Sequence, residues 1–357
     1  MKIAILWTRL SGYLNACMRE LARREGVELF VAHQAPVQDA PFEEGQFSWI
    51  EDRLQWRSVR DLSALGMRLD GFEPDILLFV GWAVPEYRRV ARAAAGRCFR
   101  IMTMDNCWLA TVRQRVATWI APFYVQPLAD AVWLPGERQA IFARKLGFAE
   151  HQIHRGLYSC DQSHLAAVHS SRISESRPVP RSFLFIGRFV PDKGIDVLVQ
   201  AYQGYRTASE DPWPLVCCGT GPLRDLLKDK PGIHVEGFVQ PELLGKVLGT
   251  AGCLVLPSRF EAWGVVVHEA ASAGLPILAS NDVGASVHLV QDGYNGYVFD
   301  SKDIDALASL MVRFSALSNA RLDAMSRASY LLSQQYSPSH WADTLQEAPS
   351  AAGYGLP

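Results

Sequence analysis

Pro257-Ser258-Arg259-Phe260-Glu261-Ala262-Trp263-Gly264-Val265-Val266-Val267-His268-Glu269-Ala270 is the stretch that decides the fold. It follows the apolar run 253–256, whose unbroken hydrophobicity suits a parallel strand covered on both faces. A loop then presents Glu261, and Gly264 opens a helix. Such a strand–loop–helix unit belongs to a doubly wound sheet, where ligands sit at the carboxyl ends of the strands. Free backbone N–H groups at the helix start favour an anion, so a phosphate fits there. A carboxylate beside a phosphate would be repelled, so Glu261 and Glu269 suit the hydroxyls of a sugar or ribose. Both acids could also simply face solvent. Against that, Glu269 stands among Val267, His268, Ala270 and Ala271 in an otherwise apolar helix.

Upstream, a second apolar run, 182–186, leads into Gly187-Arg188-Phe189-Val190-Pro191-Asp192-Lys193-Gly194 and then a helix from Ile195. Arg188 and Lys193 offer a diphosphate a fork donor and a point charge. Taken alone, such a pair is also ordinary loop surface. Gly219-Thr220-Gly221-Pro222 follows the run 214–218. Its glycines allow close backbone approach and its proline suits a first helical turn, as in many strand-to-helix turns. Strand and helix signals keep alternating to Phe299, and helices follow at 303–314, 319–335 and from Pro338 onward. Residues 161–337 therefore read as one Rossmann-like α/β domain.

Working back toward the N-terminus, the same rhythm recurs. Strands are expected at 2–7, 27–32, 75–80, 99–104 and 129–134, and helices at 15–24, 56–70, 85–95 and 137–146, with a turn-rich stretch at 35–50. The polar, aperiodic residues within 157–180 mark the transition between a first Rossmann-like domain, 1–160, and the second. A chain of 357 residues suits two domains.

The formal net charge of -2 argues against a general nucleic-acid binder. Residues 1–160 hold 20 Lys and Arg against 17 Asp and Glu, and the remainder 15 against 20. Arg88, Arg89, Arg92, Arg97, Arg100, Arg113 and Arg115 account for much of the first-half excess. They read either as solvated helix faces or as a surface for anionic lipid or a phosphate-bearing acceptor. Trp49, Trp56, Trp108 and Trp119 could join that surface or lie in the core. The seven cysteines follow no metal or disulfide spacing and suit reduced thiols. The first apolar run meets Arg9 too soon for a signal peptide, and no stretch is long enough to span a bilayer. A cytoplasmic protein is expected, either free or peripheral at the inner face of the membrane.

In these motifs the sequence resembles the retaining glycosyltransferases of the B-type fold (GT-B), family 4. The matching segments are 187–201, 219–223, 235–239 and above all 256–299, including Gly284 and Asp292-Gly293-Tyr294-Asn295-Gly296. Glu261 and Glu269 match the family's two glutamates, and Arg188 and Lys193 its phosphate-binding cations. The resemblance covers nearly all of the second domain. In the first it is confined to the opening strand, Gly12 and the general architecture. It implies two Rossmann-like domains facing a central cleft, with the last helix, 338–357, crossing back onto the first domain. A nucleoside-diphosphate sugar would be the donor and a hydroxyl of a glycan or glycolipid the acceptor. Glu269 would hold the ribose, and Glu261 would lie near the transferred sugar. The backbone of Trp263, Gly264 and Val265 would serve sugar and phosphates. The base would lie near Gly237, Phe238 and Val239, while Gly187, Gly219 and Gly12 would come close to the diphosphate. No metal or other cofactor is implied.

Many relatives of this kind place a histidine after a first-domain strand. Here the segment reads Ile101-Met102-Thr103-Met104-Asp105-Asn106-Cys107-Trp108, without one. Asp105 or Asn106 could take that place, with Asp105 acting catalytically, or Asp105 could cap the next helix. Arg188, Lys193 and the helix start at Gly264 would then stabilise the departing diphosphate. An epimerase or hydrolase on the same scaffold is the alternative, and a non-catalytic sugar-nucleotide binder a more distant one. A dehydrogenase is disfavoured, since neither domain carries the dinucleotide glycine pattern followed by an acid. Cys160, in Gly156-Leu157-Tyr158-Ser159-Cys160-Asp161, reads as packing or hinge.

Overall fold

The computed structural model describes residues 1–35 and 44–355, so part of the turn-rich stretch expected at 35–50 lies outside the described residues. The chain forms two compact units, Met1–Cys160 with Tyr336–Pro357, and Asp161–Gln335.

The first unit is built on a parallel sheet of seven strands: β1 (Lys2–Leu6), β2 (Glu28–Gln34), β3 (Asp52–Trp56), β4 (Ile76–Val80), β5 (Phe99–Thr103), β6 (Ala131–Trp133) and β7 (Ile153–His154). Their spatial order is β3-β2-β1-β4-β5-β6-β7. The order reverses between β1 and β4, which makes their carboxyl ends the topological switch point. Along β1 the side chains alternate. Ile3 and Ile5 pack with Leu14, Met18 and Trp341, while Ala4 and Leu6 pack with Leu65 and Tyr87. The apolar run is continuous because both faces are covered by helices.

Helix Pro338–Ala351 belongs to this first unit. Ser337 caps it, accepting a hydrogen bond from the His340 N–H (3.0 Å), and Pro338 occupies its first turn. Trp341 anchors it: its ring lies 4.9 Å from that of Trp133, and its Nε1 donates to the Leu157 carbonyl (2.8 Å). Truncating a buried tryptophan costs about 3–5 kcal/mol, so this contact holds the chain's end firmly.

The second unit carries six parallel strands: β8 (Phe183–Ile186), β9 (Leu215–Cys218), β10 (Ile233–Glu236), β11 (Cys253–Leu256), β12 (Ile277–Ser280) and β13 (Gly296–Phe299). Their order is β10-β9-β8-β11-β12-β13, so the switch point lies between β8 and β11. These are the two strands whose exit loops carry the sequence motifs.

Several elements differ from expectation. The strand β3 is half polar and β7 is two residues long, so neither leaves a periodic signal. Residues 56–70, expected to be one helix, end β3 and pass through a short 3₁₀ turn before helix Leu65–Phe72. The polar transition expected within 157–180 contains helix Gln162–Ser174. Its buried face includes Arg172, bound to Asp323 (2.9 Å), and His169, stacked on Tyr330 at 4.4 Å. Polar residues turned inward conceal the helical period there. Helix Val112–Tyr124 is not among the expected elements, although its apolar residues recur at helical spacing; that apolar side faces solvent.

Candidate functional site

Two loops of the second unit are locked into one body. Gly194 holds φ +67° where the β8 loop meets the β11 loop, and a Cβ there would lie 2.1 Å from the Pro257 carbonyl oxygen. Only glycine permits both that conformation and that approach. The Asp192 carbonyl accepts from the backbone N–H groups of Arg259 (2.8 Å) and Phe260 (3.2 Å). Arg259 also forms an ion pair with Asp196, at 2.7 Å through Nη1. Arg259 is thus a loop clamp, a role its place in the motif does not reveal.

Inside this clamp Lys193 Nζ and a carboxylate oxygen of Glu261 form an ion pair. Both side chains are largely enclosed, at 15% and 19% exposure, so the pair is held in a partly dry setting where charge interactions are stronger than in water. Arg188, on the same loop, is exposed, and its guanidinium makes no hydrogen bond or ion pair among the described residues. Gly264 holds φ +94° as the N-cap of helix Val265–Ser272. The first N–H groups of an α-helix lack intrahelical acceptors and suit an anion.

Glu269 lies in the second turn of that helix. It is half-buried, and desolvation pushes its carboxyl up to about 7. Its carboxyl accepts no hydrogen bond and joins no ion pair among the described residues. A carboxyl in that state carries unused acceptor capacity, which hydroxyls can fill. Its neighbour His268 points elsewhere, with Nε2 3.1 Å from the Ser333 carbonyl oxygen. At the other side of the sheet the backbone ladder runs past the strand ends through glycines. Gly187 N–H donates to the Cys218 carbonyl and Gly219 N–H to that of Gly237, each at 3.0 Å. Phe238 is exposed beyond them and Val239 half-buried. Trp263 is buried with its ring 5.5 Å from the His288 ring, and Val265 is half-buried.

Gly12 and Asp105 belong to the first unit. Gly12 is the first residue of helix Gly12–Ala22, after β1. Asp105 lies just past β5 and lines a cavity of about 640 Å³ at the carboxyl ends of β1, β4 and β5. The Tyr158 hydroxyl donates to Asp105 Oδ2 (3.2 Å), and the Tyr13 ring meets Tyr158 edge-on at 5.3 Å. Burial and the neighbouring Asp105 push the Tyr158 hydroxyl well above its ordinary range. The capping alternative for Asp105 is excluded: Thr111 caps the next helix, its hydroxyl accepting from Gln114 N–H at 3.3 Å. Tyr158 is the partner of Asp105 that sequence pattern misses, since only the fold carries it 53 positions back to Asp105.

Not every expected surface residue is at the surface. Arg100 is buried and bound to both carboxylate oxygens of Asp130. Arg97 pairs with Asp70 and Arg89 with Glu86. Trp56 is core, donating to the Tyr87 hydroxyl at 2.8 Å. Trp49 donates to Asn15 and Trp108 packs on Phe142, whereas Trp119 is exposed. Cys160 is fully buried. Among the described residues no cluster of three or more His, Cys, Asp or Glu could hold a metal ion, and no helix is long and apolar enough to cross a membrane.

Lys193, Glu261 and Glu269 lie within the segment that a known family's pattern matches. Residues 170–330 match the family Glycosyl transferases group 1. An uncharacterized glycosyltransferase of Methanocaldococcus jannaschii is 32% identical over 135 residues, 36% of this chain and 34% of that protein. The alpha-D-kanosaminyltransferase of Streptomyces kanamyceticus is 25% identical over 202 residues, 52% of this chain and 51% of that protein. The chain thus spans between about a third and about a half of the length of these curated relatives. The crystal structure of Anabaena Alr3699/HepE in complex with UDP aligns over 98% of this chain and 100% of that one, with a TM-score of 0.74 at 14% identity. The chain therefore has the GT-B fold, built from two Rossmann-like α/β domains.

Proposed function

We propose that this protein is a retaining, metal-independent glycosyltransferase that moves a sugar from a nucleoside diphosphate to a hydroxyl of a glycan or glycolipid. The observation that carries this reading is the half-buried, desolvated carboxyl of Glu269, without a partner among the described residues, on the helix that follows the loop of the Lys193–Glu261 pair. A phosphate pocket alone has no use for a hydroxyl acceptor at that place. A nucleoside diphosphate has one, because its ribose presents two adjacent hydroxyls. Arg188, Lys193 and the helix start at Gly264 would take the diphosphate, with Gly187 and Gly219 allowing its approach. Glu261, held by Lys193, would orient the sugar. As charge passes to the departing diphosphate, Lys193 would shift its bonding from Glu261 toward the phosphate oxygens. The acceptor hydroxyl would attack from the face the diphosphate leaves and pass its proton to it. Asp105, oriented by Tyr158, would position hydroxyls from the first unit. The test is turnover of a panel of nucleoside-diphosphate sugars with and without sugar acceptors, followed by NMR of the product's anomeric centre. Acceptor-dependent release of nucleoside diphosphate with a retained configuration supports the reading. Release that needs no acceptor, or an isomerised donor, favours a hydrolase or epimerase.

Glu269 also fixes a pH dependence. It accepts hydroxyl protons best when ionised, and in the free chain it ionises only near pH 7. Donor KM is therefore expected to fall as pH rises through about 7, and Glu269→Gln should flatten that profile. Folding responds with the opposite sign. The folded chain keeps this proton to about 7, whereas the unfolded carboxyl releases it near 4.5. The group's stabilising contribution is complete below the lower value and is lost as pH climbs to the upper one. Thermal melts of wild type and Glu269→Gln at pH 5 and pH 8 check this: the wild type should lose more on going to pH 8.

A further inference from the structure

Helix Val112–Tyr124 carries an apolar stripe on the outside of the first unit. Val112, Val116, Trp119, Ile120 and Phe123 are all exposed, with Trp119 and Phe123 at 85%. At 3.6 residues per turn these five fall within roughly 100° of arc. Arg113 and Arg115 flank the stripe on its two sides, and both are exposed. The helix contains no Asp or Glu. At its far end Arg88 and Arg92 lie over the Tyr124 ring at 5.5 and 5.6 Å, which adds two cations to the same border. The inner side of the helix is small and buried at Ala121, and the Gln114 side chain ties the helix start to the Leu109 N–H and the Cys107 carbonyl (2.7 Å each). The element is firmly seated, and its largest aromatic side chains point away from the protein.

We propose that this helix docks the chain onto an anionic lipid bilayer. Trp119 and Phe123 would lie at the boundary between headgroups and acyl chains, and Arg113 and Arg115 at the lipid phosphates. Interfacial helices combine such an apolar face with cations along its borders. Pairing with a second copy through the same stripe would instead bring the arginine borders of two molecules together, at a repulsive cost. The same segment, through Leu109, Thr111, Arg113, Gln114 and Ala117, lines the 640 Å³ cavity that holds Asp105. A docked molecule would therefore hold that cavity one helix thickness from the lipid surface. This assigns an amphiphilic, membrane-held acceptor to the transfer reaction and rests on that reading for the chemistry.

The test is sedimentation of the full chain with vesicles of phosphatidylcholine containing about 30 mol% phosphatidylglycerol, against phosphatidylcholine alone. Wild type should partition onto the anionic vesicles roughly tenfold more strongly, and about 0.5 M salt should remove most of that preference. Trp119→Ser with Phe123→Ser should lower binding by at least about tenfold. Both side chains are exposed, so circular dichroism and the thermal shift given by nucleoside diphosphates should not change in this variant. Absence of wild-type binding, or equal binding of wild type and variant, overturns the proposal. So does a wild-type dimer that the variant converts to monomer while vesicle binding is absent. Vesicle binding without any nucleotide response would leave the docking standing and remove the transfer reaction instead.

Discussion

Lys193→Ala is expected to lower kcat by roughly 10²–10³ while leaving donor KM within a few-fold, the usual cost of losing one well-placed donor to a charge that develops in the transition state. The side chain sits on a loop that Gly194 holds against the Pro257 carbonyl, which fixes the backbone beneath it. Its present partner is Glu261, which makes the lysine a preorganised cation rather than a mobile one. Removing it also leaves Glu261 enclosed without a counter-charge, next to the proposed diphosphate. The loss should therefore be strongly non-additive: Lys193→Ala combined with Glu261→Ala should be little worse than the poorer single variant. Steady-state kinetics of the two single variants and the double variant check this. Near-normal turnover by the double variant would remove both residues from the chemistry.

The second large effect falls on binding. Glu269→Ala should raise donor KM about a hundredfold or more, since hydrogen bonds to a charged group contribute about 1.5–3 kcal/mol each and two are lost. Its kcat should change less, because the ribose lies away from the bond that breaks. A merely structural glutamate would behave differently. Here the free protein should melt no lower than wild type above pH 7, because the substitution removes a carboxyl that is desolvated and without a partner among the described residues. Loss of donor affinity without loss of stability is the expected signature, read by calorimetric titration beside thermal melts.

The second unit was largely legible because its central strands β8 and β11 are unbroken apolar runs, and because Gly264 and the two glutamates stand at fixed offsets from the end of β11. What sequence could not supply was the pairing across the switch point. Lys193 and Glu261 are 68 residues apart, and each alone looks like loop surface. Arg259, which the sequence places in the same motif without a role, is bound to Asp196, 63 residues away. In the first unit the limits were of another kind. Helix Val112–Tyr124 keeps its helical period but turns its apolar side outward, which sequence alone cannot tell from a core-facing stripe, whereas Gln162–Ser174, at the start of the second unit, turns polar residues inward and so hides its period. The arginine-rich composition was visible, yet only the structure separates Arg100, buried on Asp130, from Arg113 and Arg115, which stay exposed.

The central claim is that the second unit binds a nucleoside diphosphate through Lys193, Glu269 and the helix start at Gly264. Thermal shift of the full chain with UDP, GDP, ADP and dTDP tests it most directly. Saturation at about 100 times Kd adds roughly 2.7 kcal/mol, enough to raise the melting temperature by several degrees. The account predicts such a rise with at least one of the four, abolished by Glu269→Ala at the same concentration. No rise with any of them, or an equal rise in Glu269→Ala, would contradict it.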